Sequence, residues 1–254
     1  MITNFFPLKY TFLTRIKSKG ERISWVLIYP LFLLFVAYIS GFPLFYTFCF
    51  FIVTMQVYEV GYVYNDIVTT KKEKNPTVRL TGDTNWIEDN LILVTSIKLL
   101  SAFFTIFLLC DMEQFFLISV SLVMILVTYY FHNTIRNKCN VITYFFLVSL
   151  RYLTPLIVFL DIQIALFIIL SFPFVRTLEH ACKTKYGFKR LSRLIRFDVD
   201  LFRVLYYGAL FFIVFCLDNH SETKYYIAYF LVVRLLAFFV SNFGFFKRND
   251  HGSY

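Results

Sequence analysis

The chain alternates between long apolar runs and short polar breaks along almost its whole length. A membrane-spanning helix needs about 20 mainly apolar residues, and eight runs approach that length. Glycine, proline and acidic residues mark tight turns between some runs, and longer polar stretches separate the others. The runs cover residues 23–40, 42–64, 90–110, 114–131, 141–160, 162–178, 199–217 and 225–246. The pattern predicts an all-α fold, a polytopic membrane helix bundle of about eight transmembrane helices.

The composition supports a membrane protein and argues against a soluble domain. Hydrophobic residues make up 59% of the chain, aromatic residues make up 21%, and the mean hydropathy is +0.66. A soluble core of this size could not bury 34 phenylalanines, whereas lipid can solvate them. The five cysteines contain no C-x-x-C pair, so we interpret them as small apolar side chains rather than metal ligands or disulfides.

The net charge of +9 is distributed almost entirely on one side of the predicted bundle. Of the 25 lysines and arginines, only Lys224 lies in a loop on the opposite side, and four lie in the interior of the runs; Arg176, at the end of the sixth run, is counted with the loop that follows it. The remainder lie in the two terminal segments and in the loops after the second, fourth and sixth runs. The positive-inside rule therefore predicts that both termini and these loops are cytoplasmic. It also explains the basic charge without a nucleic-acid partner.

This topology divides the chain into three parts. Residues 1–22 interleave apolar and basic residues, which is typical of a retained cytoplasmic segment lying in the membrane interface. The alternative is a disordered basic tail. Residues 23–246 form one transmembrane domain, and residues 247–254 form a cytoplasmic tail.

The stretch YNDIVTTKKEKNPTVRL, Tyr64 to Leu80, follows the second run directly. If that helix continues, Asn65, Thr69 and Glu73 share one face, and Asp66 is adjacent. Oxygen ligands of this kind suit Mg²⁺ bound together with phosphate. The lysines behind them and Arg79 would then lie beside a bound diphosphate.

The stretch RTLEHACKTKYG at the end of the sixth run repeats this pattern. Arg176, Glu179, His180 and Lys183 have the spacing of a single helical face. The alternative for both stretches is that their lysines and arginines only anchor helix ends in anionic headgroups. That alternative does not explain the acidic residues among them.

Several charged residues lie inside the predicted spans, where charge is costly and marks functional candidates. Arg151 lies roughly 15 Å into its helix at 1.5 Å per residue, beside Pro155. We expect it to bind phosphate or to pair with Glu59, which lies two turns before Asp66. Lys98 and Arg234 are expected to pair or to extend towards the interface, and Arg203 to extend towards it.

These residues resemble those of the UbiA superfamily of intramembrane prenyltransferases. Its first signature, N-D-x-x-D-x-x-x-D followed by a proline and an arginine, is similar to the stretch from Asn65 to Arg79. Thr69 and Glu73 stand where the family has aspartates, and Lys183 stands at a second-signature aspartate. Arg176, Glu179 and Arg151 are similar to residues of the polyprenyl-phosphate phosphoribosyltransferase branch. The resemblance implies a bundle with a central cavity, usually of nine spans.

The resemblance implies a Mg²⁺-dependent transferase that acts on an isoprenoid (di)phosphate, with diphosphate as the leaving group. The reaction is prenyl transfer, or phosphoribosyl transfer to polyprenyl phosphate, and the second small-molecule substrate is left open. The expected catalytic residues are Asp66, Glu73, Glu179 and Arg151, the first three also binding the metal. The expected substrate-binding residues are Asn65, Lys72, Arg79, Arg136, Arg176, Lys183, Glu59 and Tyr64. The alternatives are a non-catalytic protein of this fold that binds isoprenoid phosphate or a partner, and a transporter.

Overall fold

The computed structural model describes residues 5–72, 84–196, 198–217 and 222–242. Within these ranges the chain forms helices joined by turns and contains no strand. The helices are α1 (Lys9–Thr14), α2 (Lys19–Ile28), α3 (Pro30–Ile39), α4 (Leu44–Tyr64), α5 (Thr84–Asp89), α6 (Leu91–Leu109), α7 (Met112–Thr134), α8 (Asn140–Leu153), α9 (Ile162–Ser171), α10 (Pro173–Ala181), α11 (Lys189–Arg196), α12 (Val199–Leu217) and α13 (Thr223–Asn242).

Seven segments of the described chain are long and apolar enough to cross a membrane. They are Lys19–Ile39, Leu44–Thr69, Leu91–Leu109, Met112–Thr134, Ile162–Ala181, Val199–Cys216 and Thr223–Val240. The prediction of an all-α polytopic membrane bundle is therefore confirmed. Large apolar side chains such as Ile92, Phe107 and Phe116 remain exposed on its outside, as expected for surfaces that contact lipid.

The remaining predicted span, residues 141–160, is shorter as a continuous helix. α8 ends at Leu153 after 14 residues, and Thr154–Leu156 forms a 3-10 turn. Pro155 explains this end, because proline has no backbone N–H to donate to the carbonyl of Arg151, four residues before it. The chain then turns over residues 157–160 and enters α9.

Side-chain caps fix the positions of three helix starts. Asp111 accepts a hydrogen bond from the backbone of Gln114 at 2.8 Å, and Asp161 accepts one from Ile164 at 2.7 Å. Ser18 begins α2 with a reciprocal capping box that includes Glu21. Each cap satisfies backbone donors that a helix start leaves unpaired.

α4 is the innermost spanning helix, and this position places the Asn65–Asp66 stretch inside the bundle. Of its most apolar window, 61% of residues are buried, whereas no other spanning segment exceeds 33%. α4 packs against α1, α3, α6 and α7. Its buried residues join both large apolar clusters, around Phe51 and Met55 in one and around Phe50 and Val57 in the other.

The polar residues of interest lie at one end of the bundle, which we call the basic end. The contact between Tyr62 and Tyr129, 6.0 Å between ring centroids, brings the ends of α4 and α7 together. The α7 end joins the α8 start through Asn140, whose side chain also contacts His180 near the end of α10. The basic end is therefore formed by the ends of α4, α7 and α10 and by the start of α8.

Candidate functional site

The helical face expected for Asn65, Thr69 and Glu73 required α4 to continue past Asn65. The α-helix instead ends at Tyr64. Asn65–Thr69 forms a π-helical turn, and Thr70–Lys72 forms a 3-10 turn. π-turns are rare and often occur at functional sites, because they change the direction of the helix end. Tyr64 is exposed and Thr69 is buried. Glu73, Arg79 and the side chain of Lys72 lie outside the described residues.

The carboxylate of Asp66 is buried, with its side chain 3% exposed. Arg15 donates to its Oδ1 at 2.7 Å, and the Asn65 side chain donates to the same oxygen at 3.1 Å. The Tyr10 hydroxyl donates to Oδ2 at 3.0 Å. Burial and the neighbouring carboxylate raise the pKa of Tyr10 well above its usual value, which keeps this hydroxyl a donor.

Two partners of Asp66, Arg15 and Tyr10, come from the N-terminal segment, which packs against α4. The Arg15 guanidinium lies 4.4 Å from the ring centroid of Tyr62, one turn before Asp66. Tyr10, Thr11 and Thr14 are all buried. α1 therefore covers the polar end of α4, which the interleaved basic and apolar residues of this segment did not predict.

Glu59 is fully buried and pairs with Lys98 at 2.8 Å. Its other oxygen accepts hydrogen bonds from the backbone N–H and the hydroxyl of Thr11, at 2.7 and 2.8 Å. The carboxylate thus neutralises an intramembrane lysine and caps the first turn of α1. The proposed pairing of Glu59 with Arg151 is wrong, because Lys98 takes that place.

Arg151 lies in a cage of tyrosine rings. Its guanidinium carbon is 4.6 Å from the ring centroid of Tyr29, 5.1 Å from that of Tyr58 and 5.6 Å from that of Tyr152. Tyr29 also donates to the backbone carbonyl of Arg151 at 2.8 Å. Among the described residues, Nε of Arg151 is buried without a hydrogen-bond partner, and no carboxylate lies within ion-pair distance. The cage therefore holds a positive charge with no acidic partner.

The second polar stretch is divided between a helix end and the turn after it. Arg176 and Glu179 lie on α10 and form an ion pair, as their spacing predicted. Arg203 on α12 donates from Nε to Oε1 of Glu179 at 2.6 Å and from its terminal nitrogen to Asp200 at 3.0 Å. Lys183 follows the end of α10 in extended geometry, so it does not continue the helical face.

A hydrogen-bonded network joins the end of α7, the start of α8 and the end of α10. The side-chain nitrogen of Asn140 donates to the carbonyls of His132 at 2.6 Å and Ile135 at 2.8 Å. Its oxygen accepts from the Tyr186 hydroxyl and lies 3.2 Å from Nε2 of His180. Burial raises the pKa of Tyr186 to about 12, and Arg136, which is exposed nearby, opposes that rise.

An apolar groove of about 650 Å³ lies on the lipid-facing surface between α3, α4 and α13. Leu34, Phe35, Phe45 and Phe48 are among its lining residues. Its first lining residue along α3 is Leu31, two positions after Tyr29, which contacts Arg151. Its surface suits a hydrocarbon chain.

The described residues do not by themselves build the predicted magnesium site. They contain no group of three acidic, histidine or cysteine side chains placed to hold a metal. Both oxygens of Asp66 and both oxygens of Glu179 are hydrogen-bonded to the protein's own donors. A site that includes Glu73 would involve a residue outside this part of the chain, so the metal remains a prediction.

Sequence reasoning did not find Tyr10, Arg15, Asp200 or the Glu179 contact of Arg203. The available signal was the rule that intramembrane charges need partners, and Asp200 precedes Arg203 by three residues, one helical turn. That spacing favours an ion pair over extension of Arg203 to the interface. The partners of Asp66 had no comparable signal, because Arg15 is 51 positions away.

Comparison with known proteins gave no match for this chain among protein-family models, curated proteins or solved structures.

Proposed function

We propose that this protein is an integral-membrane transferase that acts on an isoprenoid (di)phosphate and binds the lipid phosphate through Arg151. The observation that carries this proposal is the position of Arg151 in a tyrosine cage, with no carboxylate of the described residues within ion-pair distance. It lies 11 residues after the first residue of α8, about 16 Å at 1.5 Å per residue. A phosphate that reaches this depth must be carried on an apolar chain.

A phosphate is the ligand class that such an arginine binds best. An unpaired charge inside a membrane is costly, and a phosphate oxygen supplies both the missing charge and the missing acceptor. The planar guanidinium can donate two parallel hydrogen bonds to phosphate. The tyrosine faces hold the guanidinium in place and leave its nitrogens to bind a ligand. The apolar groove between α3, α4 and α13 offers a surface for the isoprenoid chain.

The proposed chemistry needs positive charge where diphosphate departs. In prenyl transfer, the bond between isoprenoid carbon 1 and the diphosphate oxygen breaks, and the acceptor bonds to that carbon. In phosphoribosyl transfer, the sugar loses diphosphate and an oxygen of the lipid phosphate attacks the sugar carbon. In both, the electron pair of the broken bond leaves with diphosphate, so fixed cations lower the barrier. Arg151 and Arg176 are the described candidates for this role.

We further propose that the basic end faces the cytoplasm, as the distribution of lysine and arginine indicates. The polar substrate would then enter where α4, α7 and α10 end. Arg136 and Lys183 lie in the loops there. Asn65 and Tyr64 flank Asp66 at the same end.

A second candidate is a non-catalytic protein that binds isoprenoid phosphate. The observation that favours it is the state of the two described carboxylates predicted to bind metal. Asp66 is paired with Arg15, and Glu179 with Arg176 and Arg203. A carboxylate that is already paired with arginine has less attraction for a cation, which favours binding without turnover.

Two measurements on purified protein in detergent separate these candidates. The first is binding of radiolabelled polyprenyl phosphate, for which we expect Arg151→Gln to weaken the affinity by about 10- to 100-fold, the loss of a charged hydrogen bond. Arg151→Lys keeps the charge without the fork and should weaken it less. Lys138→Gln, an exposed basic residue at the same end, is the control and should bind normally.

The second measurement is release of inorganic diphosphate, with and without Mg²⁺. The substrates are polyprenyl diphosphate with candidate acceptors, or phosphoribosyl diphosphate with polyprenyl phosphate. Diphosphate release by wild type that is abolished in Arg151→Gln supports the transferase. The pair of substrates that gives release identifies the reaction. Binding without release supports the non-catalytic candidate. Normal binding by a folded Arg151→Gln variant would contradict both.

A further inference from the structure

Three arginines from three different helices lie together near the basic end. Arg176 on α10 and Arg203 on α12 both bind the carboxylate of Glu179. Arg234 on α13 lies at the level of Arg203, because the rings of Tyr207 and Phe230, each one helical turn from one of these arginines, stack with their centroids 5.3 Å apart. α13 reaches this place because it packs along α12. Arg234 therefore joins a cluster that already contains two cations.

Among the described residues, Arg234 differs from its two neighbours in having no carboxylate within ion-pair distance. It is only 7% exposed, and its Nε is buried without a hydrogen-bond partner in the described chain. It lies eight residues before Asn242, the last residue of α13, or about 12 Å. Arg234 therefore lies too deep in α13 for its side chain to extend to the membrane interface.

Among the described side chains of this cluster, three arginines accompany two carboxylates. Arg176, Arg203 and Arg234 oppose Glu179 and Asp200, which leaves one positive charge among these five side chains. A buried guanidinium beside two others repels them, and the low dielectric of the interior strengthens that repulsion. A bound anion removes both costs.

We propose that Arg234, together with Arg176 and Arg203, forms a second anion-binding site between α10, α12 and α13. Its ligand is a phosphate group carrying about one negative charge, such as a phosphodiester or a phosphate monoanion. Phosphate is favoured because its oxygens can accept hydrogen bonds from several guanidiniums at once. Glu179 and Asp200 orient Arg203 and limit the total positive charge, so they favour a singly charged ligand over a highly charged one.

This site is separate from the Arg151 cage. The cage is formed by Tyr29, which joins α2 to α3, and by residues of α4 and α8, whereas the second site is formed by α10, α12 and α13. The rings of Phe172 and Phe230 pack between Tyr152 of the cage and Tyr207 on α12. Arg176 is also a candidate for binding the departing diphosphate in the proposed function, so the test of the second site uses Arg234, which has no part in the proposed reaction. Two phosphate sources fit its chemistry, a soluble phosphate compound and a phospholipid headgroup.

The test compares wild-type protein with Arg234→Gln, with two probes for the two sources. Inorganic phosphate is titrated into protein in uncharged detergent by calorimetry. Phosphatidylglycerol retention is measured by native mass spectrometry after reconstitution in vesicles of phosphatidylglycerol and phosphatidylcholine. We expect wild type to bind at least one probe, and Arg234→Gln to bind it at least tenfold more weakly. Lys138→Gln is the control for general loss of basic charge.

Thermal stability supplies a second readout that a purely structural arginine would not give. Without either probe, Arg234→Gln should melt at or above the wild-type temperature, because it removes an uncompensated charge. With the bound probe present, wild type should gain stability and the variant should not. A variant that melts lower and responds to both probes as wild type does would overturn the proposal.

Arg151→Gln distinguishes this proposal from the proposed function. We expect it to lose polyprenyl phosphate and to keep the probe bound at Arg234. If Arg151→Gln abolishes all phosphate binding while a folded Arg234→Gln binds normally, the bundle has one anion site and the second site is refuted. If Arg234→Gln does not fold, Arg234→Lys replaces it. An Arg234→Lys variant with unchanged probe affinity and unchanged stabilisation by phosphate would also refute the bidentate site.

Discussion

Arg15 donates a hydrogen bond to Asp66 at 2.7 Å across 51 positions of sequence. This contact joins the N-terminal segment to the acidic residue at the end of the central helix. Tyr10 binds the other oxygen of the same carboxylate at 3.0 Å. The N-terminal segment is thus part of the candidate site rather than an independent tail.

Arg15 and a metal ion would compete for the same oxygen of Asp66. We therefore expect Mg²⁺ to raise the melting temperature of Arg15→Gln more than that of wild type, because the variant leaves a buried carboxylate without a cation. In the absence of Mg²⁺ the variant should lose about 3–5 kcal/mol of unfolding free energy. The double variant Arg15→Gln with Asp66→Asn is the control and should not respond to Mg²⁺. Equal shifts in wild type and Arg15→Gln would show that Asp66 does not bind the ion.

The Glu59–Lys98 pair is expected to dominate the stability of α1 against α4. Both side chains are fully buried, so Lys98→Met leaves an unpaired carboxylate and should cost about 3–5 kcal/mol. Adding Glu59→Gln should recover most of that loss, since glutamine still accepts from Thr11. Chemical unfolding in detergent measures both values.

The exposed pair between Lys71 and Glu88 provides a matched control. Lys71→Met should change the unfolding free energy by less than about 1 kcal/mol. If the Glu59 and Lys98 double variant is as unstable as Lys98→Met alone, charge is not the source of the effect.

The spanning helices could be predicted from the sequence because lipid imposes a simple rule on length and polarity. Asp111 and Asp161 were recognised as breaks, and they cap α7 and α9. The span at Pro155 was predicted too long, since counting apolar residues does not register the lost N–H of proline. The spans and most of their ends could therefore be predicted from local sequence features.

The partners of the charged residues could not be predicted in the same way. Arg203 and Asp200 are one turn apart, and their pairing follows from local spacing. Lys98 contacts Glu59 across 39 positions, and only the packing of α6 on α4 brings them together. Sequence spacing describes one helix at a time, whereas these pairs form between helices.

Asn140 is expected to be the most sensitive polar residue where α7 meets α8. It donates to the carbonyls of His132 and Ile135 that end α7. Asn140→Ala leaves both carbonyls without this donor and should cost about 2–4 kcal/mol. Asn140→Asp keeps the acceptor and loses the donors, so it should be nearly as unstable.

Asn137, exposed in the same loop, is the comparison for Asn140. Its side chain accepts only from the backbone of Cys139, at 2.9 Å, so Asn137→Ala should cost less than about 1 kcal/mol. Unfolding of all three variants in one detergent gives the comparison. Wild-type stability of Asn140→Asp would show that the two carbonyl contacts do not matter.

We expect the protein to lose stability at alkaline pH because of Tyr186. Burial raises its pKa from 10.0 to about 12 in the folded protein. The unfolded protein therefore loses this proton at lower pH, so the stabilising contribution is complete below about pH 10 and is lost as pH rises through about 12. The melting temperature of wild type should fall more between these values than that of Tyr186→Phe. Equal slopes would show that another group causes the alkaline loss.

Gly61 allows α4 to approach α7 closely, and its substitution should be strongly destabilising. A Cβ at this position would overlap the ring of Tyr129, whereas a Cβ at Gly208 on α12 meets nothing within 4 Å. Gly61→Ala should therefore cost about 1–3 kcal/mol or more by overpacking, while Gly208→Ala should gain up to about 1 kcal/mol from helix propensity. In a Tyr129→Ala background the ring is gone, and Gly61→Ala should no longer destabilise. Thermal unfolding of the four proteins of this cycle measures the coupling, and an undiminished loss in the Tyr129→Ala background would refute close packing as its cause.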